Sequence, residues 1–328
     1  MKAYVIERAG GPEVLQLQDI PRREAGPNEL RIRVRAFGLN RAETYLRAGR
    51  MGEITAPRVP GIEAVGEVIA DASGQFRVGQ RVATAMGGLQ FGRPGSYAEE
   101  VTVLRDNVVD LGDTSLSWAE LAALPEAYLT VWGALTRRLA IQKGQTLLVR
   151  GATSSVGLAA IAYAKWLGLK VIATSRSSDN LERLHSIGAD AALVDDGAIA
   201  DQVRDVASGG VDAALEVVGA ATLRDTIRAV RPFGGVAVIG LLGGPPVLEN
   251  FHLMQDLPGA INLAFFPSGL FGTDALPLGD APLAAIAHDM AEGRIPSLVS
   301  RIFDFGDVPV AHGHMESNRG LGKLVVQL

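Results

Sequence analysis

An alternation of short apolar strands with helices, over residues 146–239, restricts the possible folds of this chain more than any other feature. The predicted strands are apolar and rich in β-branched residues, which is typical of strands covered on both faces of a parallel sheet. The pattern therefore predicts a doubly wound α/β domain. The predicted strands are 146–150, 170–174, 191–194, 211–217 and 235–239, and the predicted helices are 156–167, 179–187, 198–207 and 221–230.

A turn of small residues, GATSSVG at 151–157, joins the first of these strands to the first helix. We expect Gly151 to make the tight turn and Gly157 to let the helix approach the sheet closely. The amides of Ser155 and Val156 would then point at a pyrophosphate on the helix N-terminus. Ser154 replaces the middle glycine of the usual fingerprint, but it is small and its hydroxyl can donate to phosphate. The loop predicts a dinucleotide site, and an ordinary turn in a non-nucleotide α/β fold is the alternative.

The end of the second strand bears on which nicotinamide cofactor this loop would bind. An NAD enzyme usually offers a carboxylate to the ribose 2′-hydroxyl about 20 residues further on. Here the chain has Ser175 and Arg176 instead. A hydroxyl and a guanidinium favour a 2′-phosphate, because they add donors without repulsion. The pair predicts NADPH rather than NADH, unless Arg176 is a solvated surface residue or pairs with Asp179.

The first third of the chain reads as a β region. Residues 30–37 alternate charged and apolar side chains, which is the period of a half-buried strand. Gly, Pro and Asp turns bound the other candidates, so a compact barrel-like unit is favoured over a long open sheet. Further strands are predicted at 64–70, 81–85 and 97–103, and helices at 117–124 and 128–138. We expect the tail, with a helix at 282–292 and a strand at 323–328, to return to this unit.

Composition excludes several classes of function. A net charge of -5, with both signs mixed along the chain, gives no long-range attraction to nucleic acid or to an anionic membrane. The absence of cysteine excludes disulfides, thiolate nucleophiles and thiolate metal ligands. The sequence has neither the roughly 20 uninterrupted apolar residues that cross a bilayer nor the apolar core of a signal peptide. We expect a cytoplasmic protein that acts on a small molecule.

Short motifs over nearly the whole chain resemble the medium-chain dehydrogenase/reductase superfamily. Within it, they are most similar to the zinc-free quinone oxidoreductase branch that includes zeta-crystallin-like proteins. Each motif alone is weak, but their order and spacing together are specific. They are GLNRAE at 38–43 with Arg47 and Gly49, PGIEAVG at 60–66, FRVGQRV at 76–82, GSYAE at 95–99, LP at 124–125 with Thr130, the phosphate loop, IGAD at 187–190 and GKL at 322–324.

The resemblance implies an α/β protein with a groES-like β-barrel catalytic domain (residues 1–120 and 266–328) and a Rossmann NADPH-binding domain (residues 121–265). Hydride transfer would occur in the cleft between them, and the chain would form a homodimer through an edge strand of the Rossmann sheet. The catalytic zinc of alcohol dehydrogenase relatives would fall at Asn40, Ile62 and Glu126. An amide, an isoleucine and a carboxylate do not supply the three good ligands that such zinc requires, so we expect no metal.

Without zinc, nothing would polarise an alcohol oxygen, so we expect an acceptor that is already electrophilic, such as a quinone or an activated alkene. This acceptor needs positioning and a hydrogen-bond donor for its developing oxyanion. Asn40 and Tyr45 are the candidate catalytic residues, although Asn40 could bond backbone in a turn and Tyr45 could pack as a half-buried aromatic. Glu126 could supply a proton from a dry pocket, but we interpret it as a charge that starts a helix.

Further cofactor contacts are predicted from the family resemblance and from the positions of residues at the ends of predicted strands. Thr130 resembles a family position near the nicotinamide. Phe265, with Phe266, could wall the nicotinamide pocket, although adjacent phenylalanines are more often core residues. Four residues follow later strands at the carboxyl edge of the sheet, where dinucleotides lie: Val218, Gly219, Gly240 and Leu241.

The pair His312 and His314 could suggest a metal clip. No carboxylate or third histidine is spaced with them on one helix face, so we expect solvated histidines.

The leading prediction is an NADPH:quinone reductase. An enoyl or 2-alkenal reductase that uses the same cleft is the nearest alternative. An NADPH-binding protein with little turnover is an alternative of another class, because an intact phosphate loop supports binding in all three cases.

Overall fold

The computed structural model describes residues 1–317 and 320–328. The described chain divides into two compact units. Met1–Leu129 and Ser268–Leu328 form the first unit, and Thr130–Pro267 forms the second. The chain thus changes unit after Leu129 and after Pro267, compared with changes of domain after residues 120 and 265 in the sequence analysis.

The described elements follow in chain order. Up to residue 132 they are β1 (Lys2–Val5), β2 (Gln16–Asp19), β3 (Glu29–Gly38), α1 (Arg41–Arg47), β4 (Glu63–Asp71), β5 (Arg81–Ala85), β6 (Glu100–Leu104), β7 (Val108–Asp110), α2 (Trp118–Leu121) and α3 (Pro125–Trp132). Next come β8 (Thr146–Arg150), α4 (Ser155–Trp166), β9 (Lys170–Ser175), α5 (Leu181–Ile187), β10 (Ala191–Val194), α6 (Ala200–Val206), β11 (Val211–Glu216), α7 (Ala220–Ala229), β12 (Val230–Val238), α8 (Leu253–Asp256) and β13 (Asn262–Phe265). The tail contains α9 (Leu283–Ala291), β14 (Val299–Asp304), α10 (Val308–Glu316) and β15 (Lys323–Gln327).

The long strand β3 organises the mixed sheet of the first unit. Among the described residues, this sheet has the order β14-β15-β3-β4-β5-β7, and β6 pairs with β3 outside that path. The first half of β3 pairs with β6, and its last residues pair with β15 from the chain's tail. Leu30, Ile32 and Val34 point into the core, as the period of two predicts. Because β3 has different partners at its two ends, the unit is compact and barrel-like, and the predicted return of the tail is confirmed.

The second unit contains a parallel sheet with the order β10-β9-β8-β11-β12-β13 among the described residues. All five strands predicted for this domain are present, and β13 is an additional edge strand. The order of the strands reverses between β8 and β11, and their carboxyl ends there form the crevice where doubly wound folds bind ligands. The predicted doubly wound α/β domain is therefore confirmed.

Some boundaries differ from the prediction. The strand predicted at 97–103 begins only at Glu100, because the amides of Ser96 and Tyr97 bond to the carbonyls of Gly61 and Pro60 instead of a sheet neighbour. The helix predicted at 128–138 begins at Pro125 and changes to π-helix over Gly133–Arg138. In the part of the chain that the structure describes, no helix is long and apolar enough to cross a membrane.

Candidate active site

The turn between β8 and α4 has the geometry of a phosphate loop. Gly151 has a φ of +81°, a left-handed value that favours glycine. A Cβ added to Gly157 would lie 2.6 Å from the Gly151 carbonyl oxygen, so only glycine lets α4 begin this close to the strand. Ser154 caps α4, because its Oγ accepts from the Gly157 amide at 3.1 Å. The same hydroxyl donates to the Gly151 carbonyl at 2.9 Å, so it would have to give up that bond to donate to a phosphate.

Two amides at the N-terminus of α4 are available to an anion. Ser155 and Val156 are the first two helical residues, and neither amide has an acceptor within residues 1–317 or 320–328. Unpaired N–H groups and the helix dipole both favour negative charge at this position. The loop therefore fits the pyrophosphate of a dinucleotide.

The turns after β11 and β12 meet at the carboxyl edge of the sheet. Gly219 has a φ of +99°, and a Cβ added to it would lie 2.9 Å from the Gly240 carbonyl oxygen. Glu216 positions the first turn, because its carboxylate accepts from the amides of Val218 at 2.7 Å and Gly219 at 3.0 Å. Leu241 is also close to Gly219, so the structure brings the four predicted residues together.

The end of β9 presents Arg176 to solvent. Its side chain is exposed, and the described residues include no ion pair between it and Asp179. Ser175 is 3% exposed, and its Oγ accepts from the Ser177 amide and from Asn180 Nδ2, both at 3.1 Å. Arg176 is therefore available to an anion, whereas Ser175 already holds the turn that follows β9.

The other predicted cofactor contacts differ in exposure. Thr130 is buried on α3. Phe266 is 6% exposed, and a Cβ added to Gly133 would collide with its ring, so this phenylalanine is a core residue. Phe265 is 57% exposed at the end of β13 and is not a core residue. A contact of Phe265 or Thr130 with the nicotinamide stays a prediction.

A buried arginine at the end of β8 connects three elements that the sequence did not link. The guanidinium of Arg150 is fully buried and makes two 2.8 Å bonds to Asp195, which follows β10. It also bonds Asp225 on α7 at 2.7 Å. Asp225 in turn accepts from the Ile199 and Ala200 amides at the start of α6. This network fixes the carboxyl edge of the sheet, and a lone arginine ending an apolar strand was its only sequence signal.

In the first unit, five polar residues form a buried group that we call the carboxylate cluster: Asn40, Glu43, Glu63, Glu126 and Lys323. Glu63 begins β4 and Lys323 begins β15, and these two side chains are 0% and 1% exposed. Lys323 Nζ lies 2.5 Å from Glu63 Oε1 and 2.7 Å from Asn40 Oδ1. Sequence reasoning found Asn40 and Glu126 but missed the other three, although Glu63 stands out as a charge between apolar neighbours.

Glu43 and Glu126 are the two members of the cluster whose carboxyl pKa values are raised. Burial, and next the charge of Glu63, raises the pKa of Glu43 to about 7 and that of Glu126 to about 8. Solvent reaches part of Glu126, but its Oε2 is enclosed and has no hydrogen-bond partner among the described residues. Glu126 does lie in the first turn of α3. The interpretation of Glu126 as a charge that starts a helix stays a prediction, and burial and the charge of Glu63 oppose that charge.

The two predicted catalytic residues differ in the hydrogen bonds they have available. The Asn40 amide nitrogen donates to Glu63 Oε1 at 2.8 Å and to Glu43 Oε1 at 3.3 Å. Both amide hydrogens therefore have acceptors already, and a role for Asn40 as an oxyanion donor, which stays a prediction, would break one of these bonds. Tyr45 is half-buried, with the Arg50 guanidinium 5.6 Å from its ring centre. Its hydroxyl has no hydrogen-bond partner in the described chain and can donate.

His312 is fully buried, so the prediction of a solvated histidine is wrong at this position. Its Nε2 is 2.9 Å from the Tyr97 hydroxyl, and Tyr97 stacks on Phe37. Burial, together with the charge of Arg47, lowers the pKa of His312 to about 3. The histidine is thus a neutral core residue that packs α10 against the mixed sheet. Within the described residues, no three His, Asp or Glu side chains are grouped so as to hold a metal ion.

Comparison with known families matches both units. The family model described as alcohol dehydrogenase GroES-like domain matches residues 26–113, and the one described as zinc-binding dehydrogenase matches residues 155–262. These matches agree with a groES-like domain and a Rossmann domain.

Curated relatives extend the match over the chain. A quinone oxidoreductase of Mus musculus is 31% identical over 257 residues, which are 74% of this chain and 74% of the relative. A quinone oxidoreductase of Pseudomonas aeruginosa is 29% identical over 97% of this chain and 96% of the relative. A 2-haloacrylate reductase of a Burkholderia species is 26% identical over 99% of this chain and 98% of the relative.

Solved structures agree with these sequence matches. The quinone oxidoreductase of Pseudomonas syringae pv. tomato has a TM-score of 0.85 at 27% identity, over 100% of this chain and 99% of the other. A mycobacterial protein complexed with NADPH has a TM-score of 0.85 at 28% identity, with 100% of both chains covered. Together with the two domain models and the mouse relative, they place this chain in the medium-chain dehydrogenase/reductase superfamily, in its quinone oxidoreductase branch.

Proposed function

We propose that the protein is a zinc-independent reductase that transfers hydride from NADPH to a quinone. The observation that carries this proposal is the position of Lys323. Its ammonium binds Asn40 Oδ1 and Glu63 Oε1, two of the oxygen atoms that could otherwise bind a metal ion. Ile62, at the third position to be compared with zinc enzymes, has no donor atom in its side chain. This donor set does not fit tetrahedral zinc.

The expected acceptor follows from this donor set. Without a Lewis acid to polarise the substrate oxygen, the acceptor must already be electrophilic, as a quinone is. Its oxygen gains negative charge as hydride arrives, and a positioned O–H or N–H group stabilises that charge. Tyr45 is the better candidate for this donor because its hydroxyl has no hydrogen-bond partner among the described residues. Asn40 would act by holding Lys323 and the two glutamates in place, or as a donor after giving up a bond to one of them.

The proposed cofactor is NADPH, which supplies the hydride. Ser155 and Val156 would bind its pyrophosphate through their free amides, and Arg176 would bind the 2′-phosphate. The turns after β11 and β12, with Thr130 and Phe265, would contact the remainder. The NADPH complex of the mycobacterial relative supports this choice.

We also propose a homodimer and a cytoplasmic location. β13 is one of the two edge strands of the parallel sheet in the described residues, so its outer backbone groups can pair with a second copy. Light scattering at micromolar protein should give the mass of a dimer. A monomeric mass would contradict the proposal.

NADPH oxidation by purified, chelator-treated protein tests the proposed function. We expect 1,4-benzoquinone to be reduced faster than a 2-alkenal, NADPH to be preferred over NADH, and added zinc to have no effect. Faster reduction of the alkenal would instead support reduction of an activated carbon–carbon double bond, the alternative that the name of the Burkholderia relative favours. Tight NADPH binding without turnover would indicate a binding protein.

A further inference from the structure

We propose that Arg150 determines the choice between NADPH and NADH by neutralising Asp195, a carboxylate beside the residues that would bind the 2′-phosphate. The inference deepens the proposed function and rests on it, because it concerns the cofactor that this function uses. Arg150 acts on the cofactor through Asp195, so it is a positioning residue. All the residues of the argument belong to the second unit.

Asp195 lies next to the end of β9, where Arg176 would bind the 2′-phosphate. It follows β10, and its amide donates to the carbonyl of Ser175, the last residue of β9, at 2.8 Å. Neighbouring strands are about 4.8 Å apart, so a charge on Asp195 would act on a phosphate at Arg176 over roughly 10 Å. An uncompensated carboxylate here would repel that phosphate and would accept from a ribose 2′-hydroxyl, as the acid of an NAD enzyme does.

The side chain of Asp195 is fully occupied by protein donors. Each of its two oxygens accepts one bond from the Arg150 guanidinium, both at 2.8 Å, in the forked geometry that suits a carboxylate. The Thr174 hydroxyl donates to it at 3.3 Å and the Gly197 amide at 3.0 Å. The side chain is 6% exposed. Asp195 therefore has no oxygen left for a ribose, and the guanidinium compensates its charge.

The other acids at this edge of the sheet depend less on the arginine. Asp225 accepts one bond from Arg150 at 2.7 Å, and it also accepts from the amides of Ile199 at 2.8 Å and Ala200 at 3.3 Å. Glu216 accepts from two backbone amides and two threonine hydroxyls. Asp195 receives two of its four donors from Arg150, so its charge is the one that a loss of the arginine would uncover.

The same arrangement reaches the phosphate loop through one hydroxyl. Thr174 Oγ1 accepts from the Gly151 amide at 3.2 Å and donates to Asp195 at 3.3 Å. A loss of Arg150 would therefore also disturb the loop. That disturbance would weaken NADPH and NADH alike, because both carry the pyrophosphate. A change in the ratio of the two affinities would instead report charge beside the 2′-phosphate.

A series of variants that changes the charge of this pair tests the inference. A unit charge roughly 10 Å away, at an effective dielectric constant of about 20, changes an affinity about tenfold. We expect the ratio of the Kd for NADH to the Kd for NADPH to fall about tenfold in Arg150→Met, which leaves the carboxylate uncompensated. The ratio should rise in Asp195→Asn, by a smaller factor because Asp225 still pairs with the arginine. It should return to the wild-type value in the double variant.

Fluorescence titration at pH 8, well above the ordinary pKa of an aspartate, measures both affinities without turnover. Arg150→Lys keeps the positive charge and should retain most of the preference for NADPH. Arg231→Met is the matched control, because it breaks a 2.8 Å ion pair with Asp212 at the amino end of the same sheet and should leave the ratio unchanged. Competition with adenosine 2′,5′-bisphosphate and with AMP should give the same series, since these probes contain only the adenosine end.

Asp195→Asn keeps the inference testable if Arg150→Met does not fold, because its amide preserves the size of the side chain. An equal ratio in wild type and Asp195→Asn would overturn the inference and leave the proposed function intact. Equal weakening of both cofactors in Arg150→Met would do the same, as would a double variant with the ratio of Arg150→Met. A wild type that prefers NADH, or that binds neither cofactor, would overturn the proposed cofactor and the inference with it.

Discussion

Replacing Lys323 with methionine removes the ammonium that neutralises the buried carboxylate of Glu63. The two side chains are 1% and 0% exposed, and the atoms that pair are 2.5 Å apart. Removing one partner of such a pair leaves an uncompensated buried charge, which costs about 3–5 kcal/mol. Glu63 would keep two donors, from Asn40 and from the Glu126 amide. We therefore expect the free energy of unfolding to fall by about 3 kcal/mol at pH 7, the lower end of that range.

Urea denaturation followed by intrinsic fluorescence measures this loss. Lys165→Met is the matched control, because Lys165 pairs with Asp190 at 2.9 Å while the two side chains are 35% and 48% exposed. Such a surface pair contributes at most about 1 kcal/mol. Combining Lys323→Met with Glu63→Gln should recover most of the lost stability, since no charge is then left unpaired.

A Lys323→Met variant that loses no more free energy of unfolding than Lys165→Met would refute this reasoning. A double variant as unstable as the single one would refute it as well. In this second case, the destabilisation would arise from lost packing of the lysine stem and not from the unpaired charge.

Three further predictions concern the phosphate loop, the choice of cofactor and pH. Gly157→Val would force a branched side chain against the Gly151 carbonyl, so NADPH should bind at least about tenfold more weakly in a fluorescence titration; unchanged affinity would contradict the loop's role. Arg176→Ala should lower the kinetic preference for NADPH over NADH roughly 10–100-fold, the effect of losing one charged hydrogen bond, whereas Arg183→Ala on α5 should not. The contribution of Glu126 to the free energy of unfolding should fall as pH rises from 4.5 to about 8, because the folded state holds the Glu126 proton that the unfolded chain has released. Thermal melts should show that slope reduced in Glu126→Gln, and an equal slope in both proteins would count against the protonated carboxyl.

The elements that the sequence predicted well are those with a regular pattern. Strands β8 and β10 have the predicted bounds, because each is a short apolar run between clear turn residues. The elements that it missed are short or irregular, such as β1, β7 and the edge strand β13. Their pairing depends on partners far along the chain, and a local pattern does not contain that information.

In the candidate site, too, the sequence predicted some residues and missed others. The phosphate loop was predicted because a glycine turn between a strand and a helix contains its chemistry within seven consecutive residues. Ser154 shows the limit of that reasoning, since its hydroxyl bonds the Gly151 carbonyl and caps α4. Arg150 and Glu216 were not predicted to be part of the site, because each acts on residues supplied by other strands and helices.

By itself, the sequence determined the fold class, the glycine turn between β8 and α4, and the presence of Asn40 and Glu126 at the positions compared with zinc ligands. Only the tertiary structure decided which carboxyl groups have a raised pKa, because the pKa of an acid depends on its burial and on its neighbours in space. Those neighbours come from residues 40 and 43 at the start of α1, from residue 63 on β4 and from residue 323 on β15. His312 follows the same rule, since only its burial beside Tyr97 made it a neutral core residue.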